Sequence, residues 1–398
     1  MGIRDHDKVI VAGHICLDII PEIWNPIGTS HSIFTPGSLT SVGPAHITTG
    51  GAVANTGMAM HRLGMNVSLM GKVGTDMFGS AIVNILRQNG SQLADDMIVA
   101  EDVHTSYSIV INPPEADRMF LHSTGANDTF RSSDLQEDRL SQGKLFHFGY
   151  PPLMRDMYEN DGVELINMFR KVKSCELMTS LDMALPDPES AAGKADWSKI
   201  LRGLLPYTDI FLPSIDELLF MLRRLDYDQW VANERTSFLA TQGADLLTSL
   251  SDELVEMGCA IIVIKLGEYG LYMRTTGNIS RLRSCGIFTE KQLEAWCMRE
   301  LYIPCYDVSV AGTTGAGDCT IAGFLSGLLR QLSPEQTMKS AVGVGACNVQ
   351  QLDAISGIVG WEEVCRYIEE WRLAEVTIPL QDWNLLDGEQ LYIGPRNK

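Results

Sequence analysis

The sequence has no Cys-x-x-Cys pair, no surplus of basic residues and no apolar run of bilayer length, and it carries neither of the two commonest phosphate-binding signatures. Nine cysteines are scattered singly between Cys16 and Cys365, a pattern that argues against a disulfide framework or structural zinc and predicts reduced thiols in a cytoplasmic protein. Against 31 Lys and Arg stand 50 Asp and Glu, a formal charge of −19. Nucleic acid and anionic membrane are therefore not expected partners, because phosphate-rich surfaces are held by basic ones. No stretch approaches the ~20 apolar residues that span a bilayer. The most apolar early segment, Val9–Ile20, is interrupted by Gly13, His14 and Asp18 and makes a poor signal core. The Met1-Gly2 start is followed by His6 where a myristoylation signal needs Ser or Thr.

A P-loop requires Gly-Lys followed by Ser or Thr, and the Gly-Lys pairs at Gly71, Gly143 and Gly193 are followed by Val73, Leu145 and Ala195. A dinucleotide fingerprint runs G-x-G-x-x-G, whereas Gly312, Gly315 and Gly317 have the opposite spacing. What the chain does have is Val310–Leu332, in which a Gly-rich loop turns directly into Ile321, Phe324, Leu325, Leu328, Leu329 and Leu332, one face of a helix. A glycine loop at a helix N-terminus offers unpaired N–H groups and the positive end of the dipole to an anion. Asp318 follows these glycines at once. A carboxylate there repels an anion unless it has another task, and taking a proton from an attacking hydroxyl is the obvious one; capping the helix is the alternative. Its neighbour Cys319 reads as a small packing residue rather than a nucleophile.

At 398 residues the chain can bury one large α/β core with a small accessory unit. Lys8–Gly13, Val67–Val73, Leu145–Phe148, Leu177–Leu181, Asp209–Leu212 and Ala260–Lys265 read as strands alternating with helices, and Gly270–Met273 as a further strand across the short Leu266–Gly270 segment. That rhythm predicts a parallel central sheet with ligands at the strands' carboxyl ends. Residues 15–49 and 104–123 break the rhythm and are expected to form a small β-rich lid. The body then comprises 1–14, 50–103 and 124–398. Within it, 275–304 reads as a surface insertion with a short helix near Glu290–Glu300, and 371–398 as a C-terminal extension.

Three motifs occur in order: Gly50-Gly51-x-x-Ala54-Asn55, Gly74-x-Asp76-x-x-Gly79 and Thr313-Thr314-Gly315-Ala316-Gly317-Asp318. With them, from about Val9 to Ala354, the chain resembles the ribokinase-like family of carbohydrate kinases, the phosphofructokinase-B type. The resemblance implies a Rossmann-like αβα three-layer sandwich with a mostly parallel central sheet and a small β lid, and transfer of the γ-phosphoryl group of ATP to a sugar hydroxyl. It makes Asp318 the catalytic base and the Gly315, Ala316 and Gly317 amides an anion hole. Asp18, Gly50, Gly51 and Asn55, with Asp318, would hold the substrate. Lys265, Gly267, Thr314, Gly315, Gly317 and Asn348 would surround the nucleotide, and Glu217 would organise Mg2+ through water.

Two positions depart from the family pattern. Ser214 stands where the magnesium motif usually begins with Asn, so its part in the metal site is secondary to that of Glu217. Gly312 replaces the usual Asp before Thr313-Thr314, so activation by a monovalent cation is not expected. A nucleoside kinase is the alternative within the fold, with Trp24, Phe34 and Tyr107 as candidates for a purine slot, and a sugar- or nucleotide-sensing protein is the alternative outside catalysis. Exposed strand edges in a lid are compatible with a homodimer paired through it.

Overall fold

The computed structural model describes residues 8–24, 36–37, 39–113, 119–232, 236–386 and 391–398. Its strands in chain order begin with β1 (Lys8–Gly13), β2 (Cys16–Pro21), β3 (Ala45–Gly50), β4 (Val67–Met70), β5 (Lys72–Gly74), β6 (Ile98–Ala100), β7 (Tyr107–Ile111) and β8 (Met119–Ser123). They continue with β9 (Gly143–Gly149), β10 (Met178–Leu181), β11 (Ile210–Phe211), β12 (Ile261–Lys265), β13 (Leu271–Thr275), β14 (Glu300–Ile303), β15 (Asn384–Leu386) and β16 (Leu391–Ile393).

Ten of these strands form one sheet in the order β15-β16-β14-β13-β12-β11-β10-β9-β1-β4. From β4 to β12 every pairing is parallel, and from β12 outward through β13, β14, β16 and β15 every pairing is antiparallel. The parallel strands are apolar on both sides because helices cover both faces. In β1 the alternation is visible residue by residue: Val9 and Val11 join the core on one face, Ile10 and Ala12 the core on the other. Helices Ala52–Arg62, Ala316–Leu329 and Pro334–Val349 lie on the first face, and Arg155–Ser174 and Trp197–Leu204 on the second. This is the αβα sandwich the sequence predicts.

One expectation needs correction. Residues 275–304 are not a surface insertion: they carry helices Ile279–Arg283 and Glu290–Trp296 and then β14, a strand inside the main sheet. Trp296, only 1% exposed, is among the largest fully buried side chains. An aromatic of that size removed from water contributes ~2–3 kcal/mol, more than a loose surface excursion would supply. The C-terminal extension adds β15 and β16 to the sheet beyond β14.

A second sheet of four strands, β3-β2-β7-β8, projects from the carboxyl end of β1. Gly13 makes the junction: its φ of 122° lies where side chains are disfavoured, and its Cα approaches the backbone of Gly149. Ile47 and Leu121, aligned across this sheet through Ile19 and Ile109, leave exposed apolar surface on one of its faces.

Candidate active site

The Ala316–Leu329 helix starts at the carboxyl edge of the main sheet. Gly315 is its N-cap, with φ 72°, and a Cβ there would press on Ala354 at 2.8 Å. Glycine is thus required both by the backbone and by the neighbouring loop. Lys265, the last residue of β12, lays its stem over Gly317, where a Cβ would sit 3.6 Å from Lys265 Cδ. Gly315, Ala316, Gly317 and Asp318 all face a cleft of about 1020 Å³, together with Lys265, Gly267, Thr313, Ser214, Glu217, Asp182 and Tyr150. Of the amides expected to hold an anion, that of Ala316 donates to the Thr313 carbonyl at 3.3 Å. The first turn still leaves later N–H groups without an intrahelical acceptor.

Asp318 is 3% exposed. Asn55 Nδ2 donates to its Oδ2 at 2.9 Å, Thr56 Oγ1 to its Oδ1 at 3.2 Å, and Tyr150 Oη reaches Oδ1 and Oδ2 at 2.9 and 2.8 Å. Burial pushes the Asp318 carboxyl above the usual carboxylate range, opposed by the donors Asn55, Tyr150 and Thr56 and by the charge of Lys265. The carboxylate is therefore desolvated, oriented and more basic than a surface Asp. Neither Thr56 nor Tyr150 was foreseen in the sequence. Tyr150 has φ 65°, a costly conformation for a bulky residue, and Pro151 and Pro152 follow it.

Lys265 Nζ lies 2.5 Å from Asp182 Oδ1, with both side chains largely buried. Burial alone would lower the Lys265 pKa, but Asp182, Glu217 and Asp318 hold it above the ordinary lysine value. Burial, with Glu217 and Asp318 nearby, pushes Asp182 up while Lys265 pulls it down. Glu217 and Ser214 close a capping box on helix Ile215–Leu222: Ser214 N–H donates to Glu217 Oε2 at 2.6 Å and Glu217 N–H to Ser214 Oγ at 3.2 Å. Ser214 Oγ and Glu217 Oε2 are thus both engaged in the cap, and both residues line the cleft.

The residues expected to hold substrate lie where the second sheet leaves the body. Asp18, on β2, pairs in register with Thr48 of β3, and Cys16 Sγ donates to its Oδ1 at 3.3 Å. Burial raises its pKa against the donors Cys16 and Ser108. The paired glycines make room for two different side chains. A Cβ on Gly50 would strike the Asp18 carboxylate, and one on Gly51, whose φ is 88°, would lie 2.5 Å from His14 Nδ1.

Two expected nucleotide residues do not line the cleft. Asn348 is wholly buried, and its Nδ2 donates to the Ala354 carbonyl at 2.7 Å, so its amide pins a loop. Thr314 Oγ1 is buried without a partner, while the adjacent Thr313 faces the cleft. Trp24 is 58% exposed and Tyr107 packs edge-on against Phe78, and neither lines the cleft; Phe34 lies outside the described residues.

Residues 15–359 match the model of the pfkB family carbohydrate kinases. An uncharacterised sugar kinase of Archaeoglobus fulgidus is 24% identical over 301 residues, spanning 76% of this chain and 98% of its own length. A probable fructokinase-4 of Arabidopsis thaliana is 33% identical over 278 residues, spanning 69% and 72%. In three dimensions the chain is similar to a fructokinase with bound ATP from Xylella fastidiosa, with a TM-score of 0.66 at 18% identity over 91% of this chain and 98% of that one. With so much of its length matched, the chain belongs to the pfkB family of carbohydrate kinases and is by class a sugar kinase, a phosphotransferase acting on an alcohol.

Proposed function

We propose that the chain transfers the γ-phosphoryl group of ATP to one hydroxyl of a sugar. Asp318 takes the hydroxyl proton, the freed oxygen attacks the γ-phosphorus, and the bond to the β–γ bridging oxygen breaks to release ADP. The observation that carries this reading is a buried carboxylate one residue beyond a glycine-lined helix N-terminus, both facing one cleft with Lys265. Phosphoryl transfer asks for positioning and charge neutralisation more than covalent chemistry, and this set supplies an anion-binding turn, a cation and a base.

In this reading Gly315 and Gly317 let the backbone approach the transferring group, and Lys265 and Gly267 border the donor phosphates. Asp18, Gly50, Gly51 and Asn55 hold the acceptor from the other side of Asp318, with β2, β3, β7 and β8 as a lid that excludes water. The oxygen-rich wall of Asp182, Glu217 and Asp318 suits a hard cation such as Mg2+, which Glu217 would hold through water with the Ser214 cap behind it. When bound, Mg2+ neutralises charge on the donor phosphates. Gly312 brings no carboxylate to its loop, so no monovalent cation is required. Ile47 and Leu121, exposed on the face they share with Ile19 and Ile109, support pairing of two copies through the lid, which light scattering would detect as a doubled mass.

The test is ADP release with ATP and Mg2+ across pentoses, hexoses, sugar acids and nucleosides. A sugar hit supports the reading, and a hit confined to nucleosides replaces it.

A further inference from the structure

His14, Cys16 and His122 converge from three places in the chain. His14 sits in the corner between β1 and β2, Cys16 opens β2, and His122 reaches in from β8. His14 Nε2 and His122 Nε2 are 3.2 Å apart, and one ring nitrogen of each histidine lies with Cys16 Sγ in a group whose members are within 4.8 Å of one another. Zinc binds imidazole nitrogen at about 2.0–2.1 Å in a tetrahedral array, which sets two coordinating nitrogens about 3.3 Å apart. The observed nitrogen pair already has that spacing.

We propose that these three side chains form a binding site for a borderline-soft divalent cation of the zinc class. Two head-to-head imidazole nitrogens can share one hydrogen at most, whereas a cation between them uses both lone pairs. Cys16 as thiolate adds the soft ligand that favours zinc over magnesium or calcium. Ser108 Oγ lies 3.0 Å from His122 Nδ1, the outer contact that fixes which nitrogen faces a metal. Three protein ligands leave the fourth position of a tetrahedral cation open to water.

The site ties the body corner at His14 to the outer strand of the second sheet at His122. It also sits beside the active site: the His14 ring is 6.1 Å from that of Tyr150, which bonds Asp318. A cation held here fastens that sheet to the body.

Co2+ is the probe, because in a tetrahedral thiolate site it gives strong visible bands and a sulfur-to-metal charge-transfer band. The full-length protein, stripped with chelator, is titrated with Co2+ alone, and ATP binding is measured in parallel as a check on folding. One equivalent with charge transfer is expected, the band lost in Cys16→Ser and affinity reduced at least about tenfold in His122→Ala, the loss that even an outer partner brings. His122 lies on a solvent-facing strand, so its variant keeps the test decisive if Cys16→Ser fails to fold. No charge transfer in the wild type, its survival in Cys16→Ser, or unchanged affinity in His122→Ala overturns the proposal. None of these readouts depends on kinase activity.

Discussion

Tyr150 Oη lies 2.9 and 2.8 Å from the two oxygens of Asp318, so one phenol caps both sides of the carboxylate proposed as the base. The acceptor hydroxyl must share or displace that contact. A hydrogen bond to a charged group contributes ~1.5–3 kcal/mol and favours the ionised form. Removing the phenol oxygen therefore raises the Asp318 pKa further. In Tyr150→Phe the acid limb of kcat/KM is expected to move to higher pH, with the plateau retained. An unmoved limb would show that Tyr150 does not tune the base.

The buried pair Lys265 and Asp182 predicts a stability effect whose size depends on pH. Lys265→Met leaves Asp182 buried without its counter-charge, a loss of ~3–5 kcal/mol near neutral pH. Burial already raises the Asp182 pKa, and loss of the lysine raises it more. A folded-state pKa above the unfolded value of ~3.9 means that the protonated carboxyl costs nothing at low pH. The penalty therefore opens as pH rises above that value and grows until the folded-state pKa is passed. Urea midpoints at several pH values check this, and Asp182→Asn with Lys265→Met should recover most of the loss. A pH-independent difference would contradict the pairing.

Gly50→Ala should raise the KM for acceptor several-fold while ATP affinity is unchanged, because its Cβ displaces Asp18 and touches nothing in the nucleotide cleft. Equal loss of ATP affinity, measured by calorimetry, would place Asp18 in a structural role instead.

Turnover is expected to be the same in potassium and sodium salts. Installing the missing carboxylate should not restore dependence freely, since a Cβ on Gly312 already lies 3.0 Å from the Gln351 carbonyl. A several-fold stimulation of the wild type by potassium would contradict the reading of this loop.

The glycine loop and its helix were legible because they are local: spacing, chirality and the missing Cβ all act within ten residues. The parallel strands were legible because burial on both faces leaves continuous apolar runs. Residues 275–304 were misread because β14 is four residues long and is reached through two short helices, a pattern that periodicity does not separate from a surface loop. The partners of Asp318 join positions more than 160 residues apart in the chain, and no spacing rule links Tyr150 or Thr56 to it. Asn348 was expected at the nucleotide from the family resemblance, but folding turns its amide toward the Ala354 carbonyl. His14, Cys16 and His122 escaped notice for the same reason, being adjacent only once β8 is laid beside β7 and β2.

The central claim is that Asp318 removes the acceptor proton. Its most direct test is ADP release by Asp318→Asn beside the wild type, with the sugar that gives the highest rate and with ATP affinity measured in parallel. The account predicts a fall in kcat of about 10²–10⁴ with ATP affinity preserved. Turnover within a few-fold of the wild type would contradict it.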